Sequence, residues 1–210
     1  MAYALASSPV TSHAELEQLL GAPLERAKNK TRDRLDDIDR EWLSASTLCF
    51  IATADADGRC DVSPKGDPAG FVRVLDDRTV AIPERPGNRR ADGFHNVIDN
   101  PHVGLIALIP GRGDTLRLNG SARIVSDEPF FDDMVVEGHR PVLALVVDVE
   151  EVFYHCSKAF LRSDAWAPES WDAASAPSRA RIAKALERPE DSLEVLEDYY
   201  GPSYRASIYR

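Results

Sequence analysis

The chain has 210 residues, 43% hydrophobic and 29% charged, which fits one main globular domain with appendages and sets aside collagen-like, disordered and membrane-embedded classes. Acidic residues number 35 against 25 basic ones, and the formal net charge of −10 repels polynucleotides and anionic membranes, so neither is an expected partner. Cys49, Cys60 and Cys156 are too few and too scattered for a disulfide framework or a zinc site; without an export signal or a membrane-length apolar run, a cytoplasmic location is expected.

The first predicted element is a short helix in "SHAELEQLLG", with Ser12 and Glu15 spaced for a reciprocal cap and Gly21 as the stop. A second helix is predicted in "RLDDIDREWLSAS", where Leu35, Ile38 and Trp42 fall on one face, and both helices are expected to pack on the barrel strands that come after them in the chain. The period then changes to that of strands. "TLCFIATADADGRCDVSP" reads as a hairpin turning at Asp57 and Gly58, and "GFVRVLDDRTVAIPE" as another turning at Asp76 and Asp77. A helix is predicted in "GNRRADGFHNVIDN", with Gly87 and Asn88 as turn and N-cap and Arg89 and Arg90 in its first turn. "HVGLIALIPGRGDTLRLNGSARIVS" gives two strands and "RPVLALVVDVEEVFYH" a long one, so that five to seven strands joined mainly by hairpins favour an antiparallel sheet closed into a barrel. "APESWDAASAP" then links to two helical segments, "SRARIAKALER" and "DSLEVLEDYY".

Three clusters could carry chemistry. Arg85, Arg89 and Arg90 surround Gly87, and cations at a helix start conflict with the helix dipole unless an anion such as phosphate lies between them. The alternative is pairing with local acids, Glu84 and Asp92. Ser63, Lys65 and Asp67 in "CDVSPKGDPAGF" suit either a polar ligand at a barrel rim or a solvated loop. Lys158 and Arg162 share a helical face with Trp166 one turn on, which suits a carboxylate or aromatic ligand, or else a surface helix anchored by its indole. His155 and Cys156 lack a second ligand pair, so no metal is assigned; nucleophile-elbow, phosphate-loop, dinucleotide and zinc-protease signatures are missing from the sequence.

Taken in order, "DGRCDVSPKGD", "RPGNRR", a helix ending in "NP", and "VGLIALIPGRGDTLRLNGSARI" resemble the FMN-binding split-barrel superfamily of pyridoxamine 5'-phosphate oxidase, in particular its bacterial FMN-dependent branch, from about Trp42 to Trp166. The resemblance implies a mainly β, six-stranded antiparallel split β-barrel at 46–164, with N-terminal helices over 1–45 and a helical extension over 165–210. It also implies a homodimer with FMN at the interface and an oxidoreductase acting on a small molecule through the flavin. Asn88, Arg89 and Arg90, with Arg85 close by, correspond to the phosphate-binding stretch, and Ser63, Pro64 and Lys65 to the strand along the flavin. Thr115 and Arg117 fall where the family places further cofactor contacts, with Lys158, Arg162 and Trp166 reaching in from the partner or lining the substrate side. The chain lacks the C-terminal Arg-containing signature with which true oxidases hold substrate phosphate, which argues against pyridoxamine phosphate as substrate. A non-catalytic flavin or phosphorylated-ligand binder on the same barrel is the alternative.

Overall fold

The computed structural model describes residues 8–209, apart from the side chain of Arg26; the first seven residues, part of the stretch read for an export signal, lie outside them. The chain divides into two compact units, Met1–Thr31 and Arg32–Arg210. In the first unit, α1 spans His13–Leu20 and α2 spans Glu25–Lys28. Ser12 caps α1 as its spacing predicts, accepting from the Glu15 N–H, but the Glu15 carboxylate reaches back to the N–H of Thr11, not of Ser12. Half of the predicted reciprocal cap therefore forms.

The second unit opens with Arg32, whose backbone bridges to Val152, and with α3, Asp37–Ala45. Asp36 and Asp39 form a full capping box at the start of α3. Trp42 is buried as predicted, but Ile38 is 57% exposed, and the position facing the core is the acidic Asp39. Helical spacing alone could not reveal this. The Asp39 carboxylate is fully buried because Arg32 grips it through two hydrogen bonds of 2.6 and 2.9 Å. Burial would by itself raise the pKa of Asp39, yet the Arg32 bonds and the N–H of Asp36 outweigh it and hold the group below its ordinary value.

Seven strands come next: β1 Leu48–Ala54, β2 Cys60–Gly66, β3 Arg73–Val74, β4 Thr79–Pro83, β5 His102–Leu108, β6 Thr115–Val125 and β7 Ala144–His155. All pairings are antiparallel, in the order β2-β1-β5-β6-β7-β4-β3. Both predicted hairpins form, the first turning through Gly58 at φ 81°. The six-stranded split barrel does not: the described residues form a sheet of seven strands, within the five to seven read from the pattern, and it is open and not closed, with β2 and β3 as its edges. The chemistry of those edges explains why. β3 is two residues long, and β2 carries Pro64, which has no N–H to give a further strand.

The open sheet still curls about one core. Inward side chains of β1, β4, β5, β6 and β7, among them Ile51, Ile82, Leu105, Leu118 and Val152, belong to a single buried cluster with Trp42 and Val97. The long β6 and β7 bend at a bulge where Asn119 faces Glu151 and Gly120 faces Val149, leaving Glu150 as the extra residue. Gly120 is required there, since a Cβ would sit 2.0 Å from the carbonyl oxygen of Asp148.

Between β4 and β5 lies α4, Asp92–Asp99; after β7 come α5, Lys158–Arg162, α6, Arg179–Leu186, α7, Leu193–Tyr199, and α8, Pro202–Arg205. The two predicted C-terminal helices are α6 and α7, and they bury Ala180, Ala183 and Leu196 against each other with Tyr200 alongside. No described helix is long and apolar enough to cross a membrane.

Candidate functional site

The edge strand β2 and the residues just past β4 approach each other through side chains instead of backbone bonds. Lys65 of β2 forms a close ion pair with Glu84, just past β4. Asp67, whose side chain is 1% exposed, accepts from Arg85 Nε at 2.6 Å. Between these elements and the start of α4 lies a cavity of about 280 Å³. Its apolar floor is Ile51, Ile82 and Leu145, and its polar wall is Thr53, Ser63, Lys65, Asn88 and Arg90. A second cavity of about 240 Å³ shares Pro64, Lys65, Pro83 and Glu84 with the first and extends toward Asp67 and Arg85.

The loop of residues 84–91 supplies one side of the site, and its conformation corrects a sequence expectation. The helix does not begin at Gly87 and Asn88. Ala91 is the N-cap, in the left-handed region at φ 54°, and Arg89 is also left-handed at φ 60°. A helix cannot propagate through such residues, so Arg89 and Arg90 precede its first turn, and the dipole conflict read from the sequence does not arise. Asn88 acts instead as a turn residue, its Oδ1 accepting from the N–H of Arg90 at 3.0 Å.

The three arginines have separate surroundings. Arg90 lines the cavity and pairs with Asp92 at 2.5 Å, both side chains being well exposed. Arg85 is nearly buried, gives Nε to Asp67, and donates to the carbonyls of Met134 at 2.7 Å and His139 at 3.2 Å. Three of its five N–H donors are thus bonded to protein groups, which makes it a clamp on the loop. Arg89 lines a neighbouring groove and neither of these cavities.

Ser63, Pro64, Lys65, Asn88 and Arg90 are therefore brought together around one cavity, with Arg85 at its neighbour. Thr115, Arg117, Lys158, Arg162 and Trp166 line neither of these cavities. Thr115 is buried at the start of β6. Arg117 lies over the ring of Phe153 at 5.4 Å. Arg162 folds back onto the carbonyl of Lys158, while Trp166 stacks on Phe160 at 5.7 Å and donates to the carbonyl of Arg112 at 2.7 Å. The indole thus serves as an anchor.

Several residues of the site carried little signal in the sequence. Thr53 is visible as the residue two past Ile51 on the inward face of β1, and it accepts a hydrogen bond from Asn96 of α4 at 3.0 Å. Gly93 of α4 lies against the same strands, where a Cβ would make ordinary contacts at 3.5 Å from Asp61 Oδ2 and 3.6 Å from Thr53 Oγ1. Tyr209, near the C-terminus, gives its hydroxyl to Asp67 at 2.5 Å and stacks on His139, a contact no local pattern encodes. Its bond to Asp67, aided by burial, pushes the Tyr209 pKa up to about 12.

Comparison with known proteins sets this site in context. HupZ of Group A Streptococcus is 20% identical over 57% of this chain and 93% of its own, with a TM-score of 0.46. HutZ, the heme storage protein from Vibrio cholerae, is 18% identical over 58% and 94%, with a TM-score of 0.39. General Stress Protein 26 from Bacillus anthracis is 13% identical over 54% and 88%, with a TM-score of 0.38. Likenesses of this size assign no function, and no curated protein matches the chain. The sequence model of the pyridoxamine 5'-phosphate oxidase family matches residues 35–156, more than half of the chain, and that span contains the curled sheet, both edges and the arginine loop. The chain belongs to the pyridoxamine 5'-phosphate oxidase family.

Proposed function

We propose that the protein is an FMN-dependent oxidoreductase acting on a small molecule, with the cofactor phosphate received by Arg90 and Asn88, and Ser63, Pro64 and Lys65 along the flavin, at the cavity between β2 and the end of β4. The observation that supports this most directly is the convergence of Ser63 and Lys65 from β2 with Asn88 and Arg90 from the loop, on one cavity, in a chain of this family. The donor set fits a phosphate. Lys65 and Arg90 are balanced by Glu84 and Asp92 in the protein alone, and the Arg90 to Asp92 pair is exposed enough that turning the guanidinium inward costs about 0–1 kcal/mol. Two left-handed non-glycine residues in the loop, each costing about 1–3 kcal/mol, are backbone strain of the kind found at ligand clamps.

FMN, when bound, supplies hydride acceptance and donation, and the protein supplies placement, charge and exclusion of water. Lys65, held by Glu84 with its ammonium 5.2 Å from the centroid of Phe94, places a fixed cation where negative charge on a ligand is stabilised. Homodimerisation belongs to the same reading. The outward row Pro64, Phe50, Ile106, Arg117, Phe153 runs in register across five strands, and Phe50 and Val62 are 39% and 60% exposed, an apolar face suited to a second copy. Arg117 and the residues beyond β7 would then serve the partner's cavity.

The test is the absorbance spectrum of protein purified without added cofactor, followed by heat release and mass analysis. Flavin bands and a released mass matching FMN are expected, with bleaching on addition of NADH or NADPH. A colourless protein that does not take up FMN would refute the cofactor assignment. Bound flavin that never bleaches with any reductant would leave a binding or storage protein in place of an enzyme.

A further inference from the structure

The loop of residues 84–91 borders both the polar cavity and a more apolar space that shares Glu84, Ala91 and Phe94 with it. That space is a groove of about 710 Å³, walled by Phe94 and Ile98 of α4, Ile124 of β6, and Val142 and Leu143 before β7. Ile98 and Val142 are 72% and 75% exposed, so apolar surface stands open to water in a concave setting. Arg89 lines this groove, turned there by its left-handed backbone at φ 60°. Its neighbours Arg85 and Arg90 are both paired with carboxylates, whereas the Arg89 guanidinium makes no hydrogen bond or ion pair among the described residues. That is notable in a chain with 35 acids and 25 bases.

The other charged groups at the groove do not compensate Arg89. Glu84 is occupied by Lys65, and Arg140 at the far rim is held by Asp127 and Asp132. His95 and His139 complete the polar lining, and none of the lining groups is an acid left to meet Arg89. An apolar trough with one uncommitted guanidinium at its edge is complementary to a molecule with an apolar body and one negative group.

We infer that this groove is a second binding site, for a small amphipathic anion: an aromatic or branched aliphatic body resting on Phe94, Ile98 and Val142, with a carboxylate or sulfonate meeting Arg89. The groove borders the phosphate-binding cavity and shares Phe94 with it, but Arg89 does not line that cavity, and the inference does not depend on FMN being the cofactor there.

The experiment uses two probes that differ in charge, 8-anilinonaphthalene-1-sulfonate and the neutral N-phenyl-1-naphthylamine. Each is titrated by fluorescence into the full chain and into the variants Arg89→Gln, Arg90→Gln and Val142→Glu, with near-ultraviolet circular dichroism to check that each variant is folded. The sulfonate should bind the wild-type protein and bind Arg89→Gln about tenfold more weakly, as expected for one charge-assisted hydrogen bond. The neutral probe should bind both within twofold. Val142→Glu should weaken both probes and Arg90→Gln neither. Absence of sulfonate binding, equal binding by Arg89→Gln, or weakening by Arg90→Gln instead would overturn the proposal. So would a wild-type dimer that binds neither probe and becomes monomeric in Val142→Glu by sedimentation, since a second copy would then be what covers the groove.

Discussion

Two arginines five residues apart in one loop should respond to the same substitution in opposite ways. In Arg90→Ala the lost group is exposed and its pair with Asp92 contributes little, so the melting temperature of the cofactor-free protein should move by only about 2 °C. The substitution does remove a charge-assisted contact to the phosphate, worth about 2 kcal/mol after Asp92 is released, so FMN affinity should fall about thirtyfold. Arg85→Ala leaves the carboxylate of Asp67, 1% exposed, without its cation. Stranding one member of such a pair costs about 3–5 kcal/mol, or about 6–20 °C in a chain of this size. FMN binding, measured by quenching of flavin fluorescence below the lower melting temperature, should weaken far less than in Arg90→Ala. If Arg85→Ala lost FMN with no change in melting while Arg90→Ala changed neither, the separation of clamp from ligand would be wrong, and the phosphate would belong beside Arg85.

The fold leads to further expected outcomes. Gly120→Ala should yield no folded protein, because its Cβ would fall 2.0 Å from a backbone oxygen, whereas Gly111→Ala, at φ 86° in open space, should cost only about 1 kcal/mol in a denaturant titration. Asp39→Asn should destabilise by about 2–3 kcal/mol at neutral pH, less than a fully buried pair because Arg32 is 34% exposed. The folded pKa of Asp39 is depressed, so its contribution is full above the unfolded value of about 3.9 and is lost as pH falls through the folded value. The gap between wild type and Asp39→Asn should therefore close on acidification, and a gap unchanged down to pH ~2 would contradict the Arg32 account. Tyr209→Phe should cost about 1 kcal/mol below pH ~10. Because the folded pKa of Tyr209 is raised to about 12, this difference should vanish as pH climbs through that value, which a series of melting curves would detect.

Much of this architecture is legible in the chain. Alternation, turn residues and caps place the hairpins around Gly58 and Asp76, the helix begun by Ser12, and the two C-terminal helices, because each depends on contacts within a few residues. Order along the chain, from "VSPKG" to "RPGNRR" to the paired strands, is enough to indicate the family, and it marks Ser63, Lys65, Asn88 and Arg90 without any geometry. What local pattern does not supply is the destination of each charge. Arg85, Arg89 and Arg90 look alike in sequence, yet one clamps Asp67 from across the sheet opening, one faces an apolar groove and one lines the polar cavity. Ile38 and Asp39 exchange their expected places because Arg32, brought in beside Val152, makes a buried carboxylate stable. The opening between β2 and β3, and the reach of Tyr209 to Asp67, are settled by contacts between residues far apart in the chain. Local propensity acts over a few residues, whereas desolvation and ion pairing act on whatever the fold brings together, so the elements were determined by sequence and the partners by tertiary structure.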